Sequence, residues 1–273
     1  MTIALKGRTA VAGGWVAHQV EGDLRAPALL LLPGQANSHQ WWTAVRPLLT
    51  GRFFTVTFDY RGTGGSAWSA ADGPDWTARL FADDAAAVLR AVGRDSAYVY
   101  GTSMGGRIAQ ELAINYPGLV RRLVLACTSP GGGPATERGN DVRRPLADPD
   151  PAKRHRALVD LFYTPEWTRA RGGYEQVPAH LLGDRSMPPE ARRRHLRLSA
   201  GHDAAGRLHQ VQAPTLITHG DEDRLAPPVN AETLARLIPR SEVRIFSGGR
   251  HGFFDEFAEP ATKTMTDFLA ADQ

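Results

Sequence analysis

The sequence predicts an α/β fold: a mostly parallel central sheet with helices on both faces, interrupted by an inserted helical segment. Three observations carry that reading. Strand-length apolar runs alternate with segments of helical period from residue 28 to Cys127, and the same rhythm returns from residue 214. Between them, residues 135–209 show helical period near 153–162 and 189–199 but no convincing strand. Within the first half, Tyr98-Val99-Tyr100 runs through Gly101-Thr102-Ser103-Met104-Gly105 straight into a helix.

In chain order, residues 9–22 read as two short strands around Gly13-Gly14, a hairpin at a sheet edge. Residues 28–32 are continuously apolar, as a strand buried on both faces requires, and lead into Pro33-Gly34-Gln35-Ala36-Asn37-Ser38. A helix is expected through Trp41, Trp42, Val45, Leu48 and Leu49, then a strand over 53–58. The glycines of Asp59-Tyr60-Arg61-Gly62-Thr63-Gly64-Gly65-Ser66 mark a tight loop, in which Asp59 and Arg61 read as a structural ion pair or as loop braces. Residues 80–92 are helical by period, and the helix after Ser103 should stop before Pro117. Ser129-Pro130-Gly131-Gly132-Gly133-Pro134 then punctuates the chain. The expected organisation is therefore a core of residues 1–133 and 210–273 with a helical cap over 134–209. The tail adds a strand over 214–219, a helix over 229–238, a strand over 242–246 and a closing helix from 254 to about 270.

Composition narrows the function classes. At 273 residues, 42% hydrophobic and 22% charged, the chain suits one large globular domain with an insertion rather than a disordered or membrane protein. No apolar run reaches the roughly 18 residues of a spanning helix, and Met1-Thr2-Ile3-Ala4-Leu5-Lys6 lacks the apolar core of a signal peptide, so no membrane association and a cytoplasmic location are expected. The single cysteine, Cys127, rules out an internal disulfide and reads as a small buried thiol. The net charge of +3 is spread along the chain, which speaks against nucleic acid as a partner. Arg192, Arg193, Arg194 and Arg197 read as a solvated helix face, with attraction of an anionic substrate as the alternative. His18, His155, His180, His195, His202 and His209 show no ligand spacing, so no metal and no cofactor are expected. Homo-oligomerisation is compatible with the sequence.

The turn at Ser103 concentrates the chemistry. Turning from strand to helix within one residue strains the backbone there and leaves no room for side chains at positions 101 and 105. The Met104 amide falls in the first helical turn, where unpaired N–H groups and the helix dipole favour a developing oxyanion. A serine hydroxyl needs a base within reach and the base needs an orienting acid. The loop after residue 219 offers Asp221, Glu222 and Asp223, and the loop after 246 offers His251. His219, at the end of an apolar strand, reads as a hydrogen-bonded structural residue.

With these motifs in the order Ser, Asp, His, the sequence resembles α/β-hydrolase fold proteins over nearly the whole chain outside the cap. The resemblance implies a catalytic triad of Ser103, His251 and Asp223, because the family's acid lies three residues after the glycine of His219-Gly220-Asp221-Glu222-Asp223 and before a proline. It also implies that Asp59 to Ser66 is a structural loop, and that the second oxyanion donor is the amide after Gly34, that of Gln35. The family's commonest pattern has His-Gly where this chain has Pro33-Gly34. The Gln35 side chain then either donates to a substrate carbonyl or braces the loop. Gly34, His39 and Trp42 are candidates for the substrate pocket, with core packing as the alternative for the tryptophan.

Residues 102–113 are similar to those of enol-lactonases of the 3-oxoadipate type and of cofactor-free haloperoxidase-like esterases. The expected function is hydrolysis of a small-molecule carboxylic ester or lactone through an acyl-enzyme. Two alternatives share the fold: hydrolysis of a carbon-carbon bond in a vinylogous diketone of meta-cleavage type, and ligand binding without turnover.

Overall fold

A computed structural model describes residues 2–69 and 75–271; residues 1, 70–74, 272 and 273, which the expected core boundaries include, lie outside the described residues. The chain opens with a hairpin, β1 (Thr2–Val11) and β2 (Gly14–Asp23), paired antiparallel from Thr2 opposite Asp23 to Val11 opposite Gly14. Both strands are longer than the expected pair at residues 9–22. Most of β1 is exposed, so it lacks the apolar alternation that would have announced it.

There follow β3 (Ala28–Leu32), β4 (Phe54–Phe58), the short β5 (Ala67–Trp68), α1 (Ala78–Ala91), β6 (Ala97–Thr102), α2 (Met104–Asn115) and β7 (Val120–Ala126). After the insertion come β8 (Thr215–Gly220), α7 (Val229–Leu237), β9 (Ser241–Phe246), α8 (Phe253–Glu256) and α9 (Ala258–Ala270). The sheet runs β1-β2-β4-β3-β6-β7-β8-β9, with β5 paired to β2. From β4 to β9 every pairing is parallel, as the alternation of strands and helices predicts.

Strand β3 shows why a continuous apolar run is needed here. Leu30 and Leu32 enter a core with Val56, Val99, Phe81, Ile108 and Leu112, under α1 and α2. Leu29 and Leu31 enter the core of the opposite face, with Trp41, Trp42, Tyr98, Met265 and Leu269. Fully burying each such leucine is worth about 1.5–3 kcal/mol relative to leaving it in water.

Two expected helices differ in detail. Residues 41–49 form two 3-10 turns, His39–Trp42 and Arg46–Leu48, rather than one α-helix. Pro47 explains this, since it has no N–H to donate and its ring clashes with the carbonyl four residues back. The closing helix is broken at Phe257 between α8 and α9, where Pro260 blocks continuation for the same reason.

Between β7 and β8 the chain adds no strand to the sheet. It forms α3 (Asn140–Leu146), α4 (Pro151–Phe162), α5 (Pro165–Ala170) and α6 (Pro189–Gly201), with one isolated bridge pairing Gly131 and Asp203. Helices α4 and α6 match the expected stretches. Asp150 Oδ1 caps α4 by accepting from the Ala152 amide at 2.8 Å, and Thr164 Oγ1 caps α5 from the Trp167 amide at 3.2 Å. No helix among the described residues is long and apolar enough to cross a membrane.

Candidate active site

Ser103 stands between β6 and α2 with φ 54° and ψ −118°, a left-handed conformation that costs a non-glycine residue on the order of 1–3 kcal/mol. The sequence permits it by leaving its neighbours bare. A Cβ at Gly101 would overlap the Gly105 carbonyl, and one at Gly105 would overlap the carbonyl oxygens of Leu32 and Pro33. The Ser103 amide donates to Ala126 O at 2.9 Å, and Thr128 Oγ1 donates to Ser103 O at 2.7 Å. The strained residue is thus tied to the end of β7.

His251 comes from the loop after β9 and Asp223 from the loop after β8. His251 Nε2 lies 3.0 Å from Ser103 Oγ, and His251 Nδ1 lies 2.8 Å from Asp223 Oδ2. The histidine and the aspartate are each 1% exposed. The His251 amide donates to Leu161 O at 3.2 Å, and the Phe162 ring meets the imidazole edge-on at 5.0 Å. The end of α4 therefore supports the histidine directly.

Of the three neighbouring carboxylates, only Asp223 reaches the imidazole. Asp221 accepts from the Gly248 amide at 2.7 Å, and Glu222 faces Arg250 at 3.5 Å. Asp223 Oδ1 accepts from the amides of Leu225 and Ala226, both at 2.9 Å. Its Oδ2 is also 3.3 Å from His219 Nε2, which lies 2.7 Å from Ala226 O, so His219 is the hydrogen-bonded structural residue expected. Burial acts to raise the Asp223 pKa. The charge of His251 and hydrogen bonds from His219 and His251 outweigh it and hold the carboxyl well below its usual range.

The loop after β3 faces the elbow from the other side. Neither the Gln35 amide nor the Met104 amide has a partner among the described residues, and the Gln35 carboxamide also meets none. The Gln35 side chain makes no hydrogen bond to its loop among the described residues. Its carbonyl accepts from Asn37 Nδ2 at 3.1 Å. The next residue, Ala36, has φ 60°. Its N–H donates to His195 Nδ1 at 3.2 Å and its carbonyl accepts from the Asp184 amide at 2.6 Å.

Several candidates are placed elsewhere. Trp42 is fully buried against Tyr100 and Phe254, with centroids 5.2 and 6.0 Å away, so it belongs to the core and not to a substrate pocket. His39 turns to Asp59, with Nδ1 2.7 Å from Oδ1, and lines a cavity of roughly 460 Å³ with His180 and Asp184, whose lining includes no triad candidate. Gly34 is buried beside the Trp41 ring. Asp59 and Arg61 brace their loop without pairing to each other. Arg61 instead forms a buried bidentate pair with Asp84 at 2.7 and 2.6 Å, and Asp59 also accepts from the amides of His39 and Gly65 at 2.8 and 2.9 Å. Arg193 and Arg194 pair with Glu190 on their own helix, and Arg192 donates to Asp184 O at 3.1 Å.

Cys127 is fully buried, and burial pushes its thiol well above the usual value. Among the described residues no group of three or more His, Cys, Asp or Glu side chains is positioned to hold a metal ion. Sequence reasoning weighed His195 only as a metal ligand and set it aside. Its contact with Ala36 spans 159 positions, and no local signal announces it.

Comparison with known proteins agrees with the architecture. Residues 27–258 match the family model described as alpha/beta hydrolase fold. The chain is 27% identical over 261 residues to the protein named "Putative carbamate hydrolase RutD" of Caulobacter sp. (strain K31), covering 93% of this chain and 96% of that one. Its namesake in Agrobacterium fabrum (strain C58 / ATCC 33970) is 28% identical over 256 residues, covering 92% and 96%. Among solved structures, a hydrolase from Pseudomonas aeruginosa PA01 superposes with a TM-score of 0.81 at 24% identity, covering 97% and 98% of the two chains. The enol-lactonase from Burkholderia xenovorans LB400 superposes with a TM-score of 0.79 at 21% identity, covering 96% and 99%. On the strength of the family match and of a sheet order and strand-turn-helix elbow that agree with it, the chain belongs to the alpha/beta hydrolase fold family and is a hydrolase.

Proposed function

We propose that this hydrolase cleaves a carboxylic ester or lactone of a small molecule through Ser103, His251 and Asp223, with residues 134–209 as its cap. One observation carries the reading: the unbroken relay from Ser103 Oγ to His251 Nε2 at 3.0 Å and from His251 Nδ1 to Asp223 Oδ2 at 2.8 Å.

Ser103 Oγ attacks the carbonyl carbon while its proton passes to His251 Nε2. The carbonyl π pair becomes an oxyanion facing the Gln35 and Met104 amides, neither of which has another partner to surrender. Each donor of this kind is typically worth about 2.7–4 kcal/mol in the transition state. Collapse breaks the bond to the leaving oxygen, which takes the proton from His251. Water then adds to the acyl-Ser103 ester by the same route, and Ser103 is restored. Asp223 keeps the imidazole in the Nδ1–H tautomer and stabilises the imidazolium; its depressed pKa keeps it ionised while it does so.

A second reading has support from the relatives named carbamate hydrolases. Attack on a carbamate uses the same atoms, against a carbonyl made less electrophilic by the adjoining nitrogen. The test is turnover of p-nitrophenyl butyrate, a small lactone, a carbamate ester and a vinylogous diketone by the wild type and by Ser103→Ala. The expected result is ester or lactone cleavage that falls by at least about 10⁴-fold in Ser103→Ala with an unchanged melting temperature. Preference for the carbamate selects the second reading. Undiminished turnover in the alanine variant removes Ser103 from the mechanism.

A further inference from the structure

We propose that His195, carried by cap helix α6, is a positioning residue for the oxyanion loop: it holds the Gln35-Ala36 peptide so that the preceding amide, Gln35 N–H, faces the reacting carbonyl. The inference rests on the hydrolase reading above and extends it to a residue outside the triad.

Four observations converge on it. First, His195 is fully buried, and both ring nitrogens are engaged across elements: Nδ1 accepts from the Ala36 amide at 3.2 Å and Nε2 donates to Arg61 O at 3.0 Å. Accepting at Nδ1 requires the neutral ring with its proton on Nε2. Second, the held peptide is fixed at its other end as well, because Gln35 O accepts from Asn37 Nδ2 at 3.1 Å. With both ends tied, the 35–36 peptide cannot rotate, and ψ of Gln35 cannot drift. Third, Ala36 sits at φ 60°, a conformation an alanine keeps only where the surroundings impose it. The imposing contacts both come from the cap, His195 on the N–H and the Asp184 amide on the carbonyl at 2.6 Å. Fourth, the imidazole is itself locked in a cage of rings: Tyr60, Trp76 and Phe81 meet it edge-on with centroids 6.1, 5.4 and 5.4 Å away. Tyr60 in turn donates to Pro33 O at 3.1 Å, at the base of the same loop.

A polar ring this deeply buried is needed for its hydrogen bonds, since an apolar side chain would fill the space without the desolvation cost. What those bonds hold is the loop that bears one oxyanion donor. In the folded protein the cap thereby reaches the transition state through backbone geometry rather than through contact with substrate.

The experiment compares His195→Gln, His195→Phe and His195→Asn with the wild type on p-nitrophenyl butyrate. Glutamine can keep a donor near Arg61 O but places no acceptor at the Nδ1 position. Phenylalanine keeps the ring and loses both bonds. Asparagine puts its Oδ1 where Nδ1 was. The expected result is a kcat lower by about 30-fold or more in the glutamine and phenylalanine variants, with KM within about threefold, and recovery of most of that loss in His195→Asn.

A second readout separates positioning from general damage. A trifluoromethyl ketone adds Ser103 Oγ at its carbonyl carbon, with the proton on His251 Nε2 and the former π pair left as an oxyanion, so its inhibition constant should rise by the same factor as kcat falls. Folded glutamine and phenylalanine variants with kcat within about threefold of wild type overturn the inference, as does a fall in kcat with ketone inhibition unchanged. Should those two variants not fold, His195→Asn decides, because a 30-fold loss in that folded variant is incompatible with a role exerted through the Ala36 amide. Wild-type protein that neither turns over the ester nor is labelled by a fluorophosphonate at Ser103 sinks the hydrolase reading and this inference together. An active wild type with unaffected variants sinks only the inference.

Discussion

The two sides of the site are built from different materials. Ser103, Asp223 and His251 stand on loops after β6, β8 and β9; Ala126 O of β7 holds the serine, the Leu225 and Ala226 amides of its own loop hold the aspartate, and Leu161 O of α4 accepts from the histidine amide. The loop after β3 also leaves a parallel strand, yet the residue that follows Gln35 is fixed by Asp184 and His195, which lie between β7 and β8 in sequence. The serine and the aspartate thus rest on the sheet and the loops that leave it, with the insertion touching only the histidine. The proposed oxyanion side is partly held by the insertion. On the proposed mechanism, substitutions within residues 134–209 should alter rate without touching Ser103, Asp223 or His251.

The sharpest way to break this comparison is to damage the sheet side alone. Asp223→Asn keeps an oxygen for the Leu225 and Ala226 amides but presents His251 with an amide that no longer secures the Nδ1–H tautomer. We expect kcat to fall about 10⁴-fold, the usual consequence of that substitution in a triad, with the melting temperature little changed. Stopped-assay kinetics and thermal unfolding on the same sample check it. A loss below tenfold would mean that His219, 3.3 Å from the same carboxylate oxygen, orients the relay in its place.

The next test separates a brace from a catalyst within the core. Arg61 and Asp84 form a buried bidentate pair, and Arg61 also donates to Ala12 O at 2.6 Å. Burial raises the Asp84 pKa, while Arg61 pulls it back. Asp84→Asn leaves the guanidinium buried with a poor partner, a situation that typically costs about 3–5 kcal/mol. The urea midpoint should drop accordingly while kcat of the folded fraction stays within a few-fold. Equal loss in both would show that the loop of residues 59–66 acts on the reaction and not only on the fold.

The same division explains what could be read in the sequence. The sheet was legible because a strand buried on both faces must be apolar at every position, as in β3, and because the elbow demands bare positions on either side of Ser103. Asp223 required more than spacing. Spacing alone left three adjacent carboxylates equivalent and only the family pattern pointed to Asp223; in the structure Asp221 turns toward Gly248 and Glu222 toward Arg250. The cap was only half legible. Helices α4 and α6 are long enough to show a period, whereas α5 has six residues and α3 carries Pro145 inside it, so neither repeats often enough to be seen. Contacts across the chain, such as Arg61 with Asp84 and His195 with Ala36, leave no local trace. Of the two readings of Asp59 and Arg61, the loop brace matches the structure and the ion pair does not, because Arg61 pairs with Asp84 instead.

The mildest test is acid, and it should find the cap before the sheet. His195 and His202 are both buried, and burial is the largest cause lowering their pKa values, to about 4 and about 3. His195 faces the Ala36 amide, Arg61 O and the charge of Arg192; His202 faces Gln110 Oε1 at 3.3 Å, Glu111 at 3.8 Å and the charges of Arg107 and Arg207. In the unfolded chain each titrates near the ordinary value of about 6.5. Between that value and the folded one, the unfolded state binds more protons, so stability rises with pH across the window. The contribution is whole above about pH 6.5 and is lost as pH falls toward 4 for His195 and 3 for His202, by at most about 1.4 kcal/mol per pH unit for each. Asp223 shares the sign but not the range: its contribution is whole above the ordinary carboxylate value of about 3.9 and is lost only as pH falls below that toward its depressed folded value. Urea midpoints measured from pH 7 to pH 5 should therefore fall. The slope should flatten when both histidines are replaced by asparagine, and hydrogen exchange should open residues 134–209 ahead of β6 and β8. A slope unaltered by the double substitution would locate the acid sensitivity in the sheet and erase the distinction between the two halves.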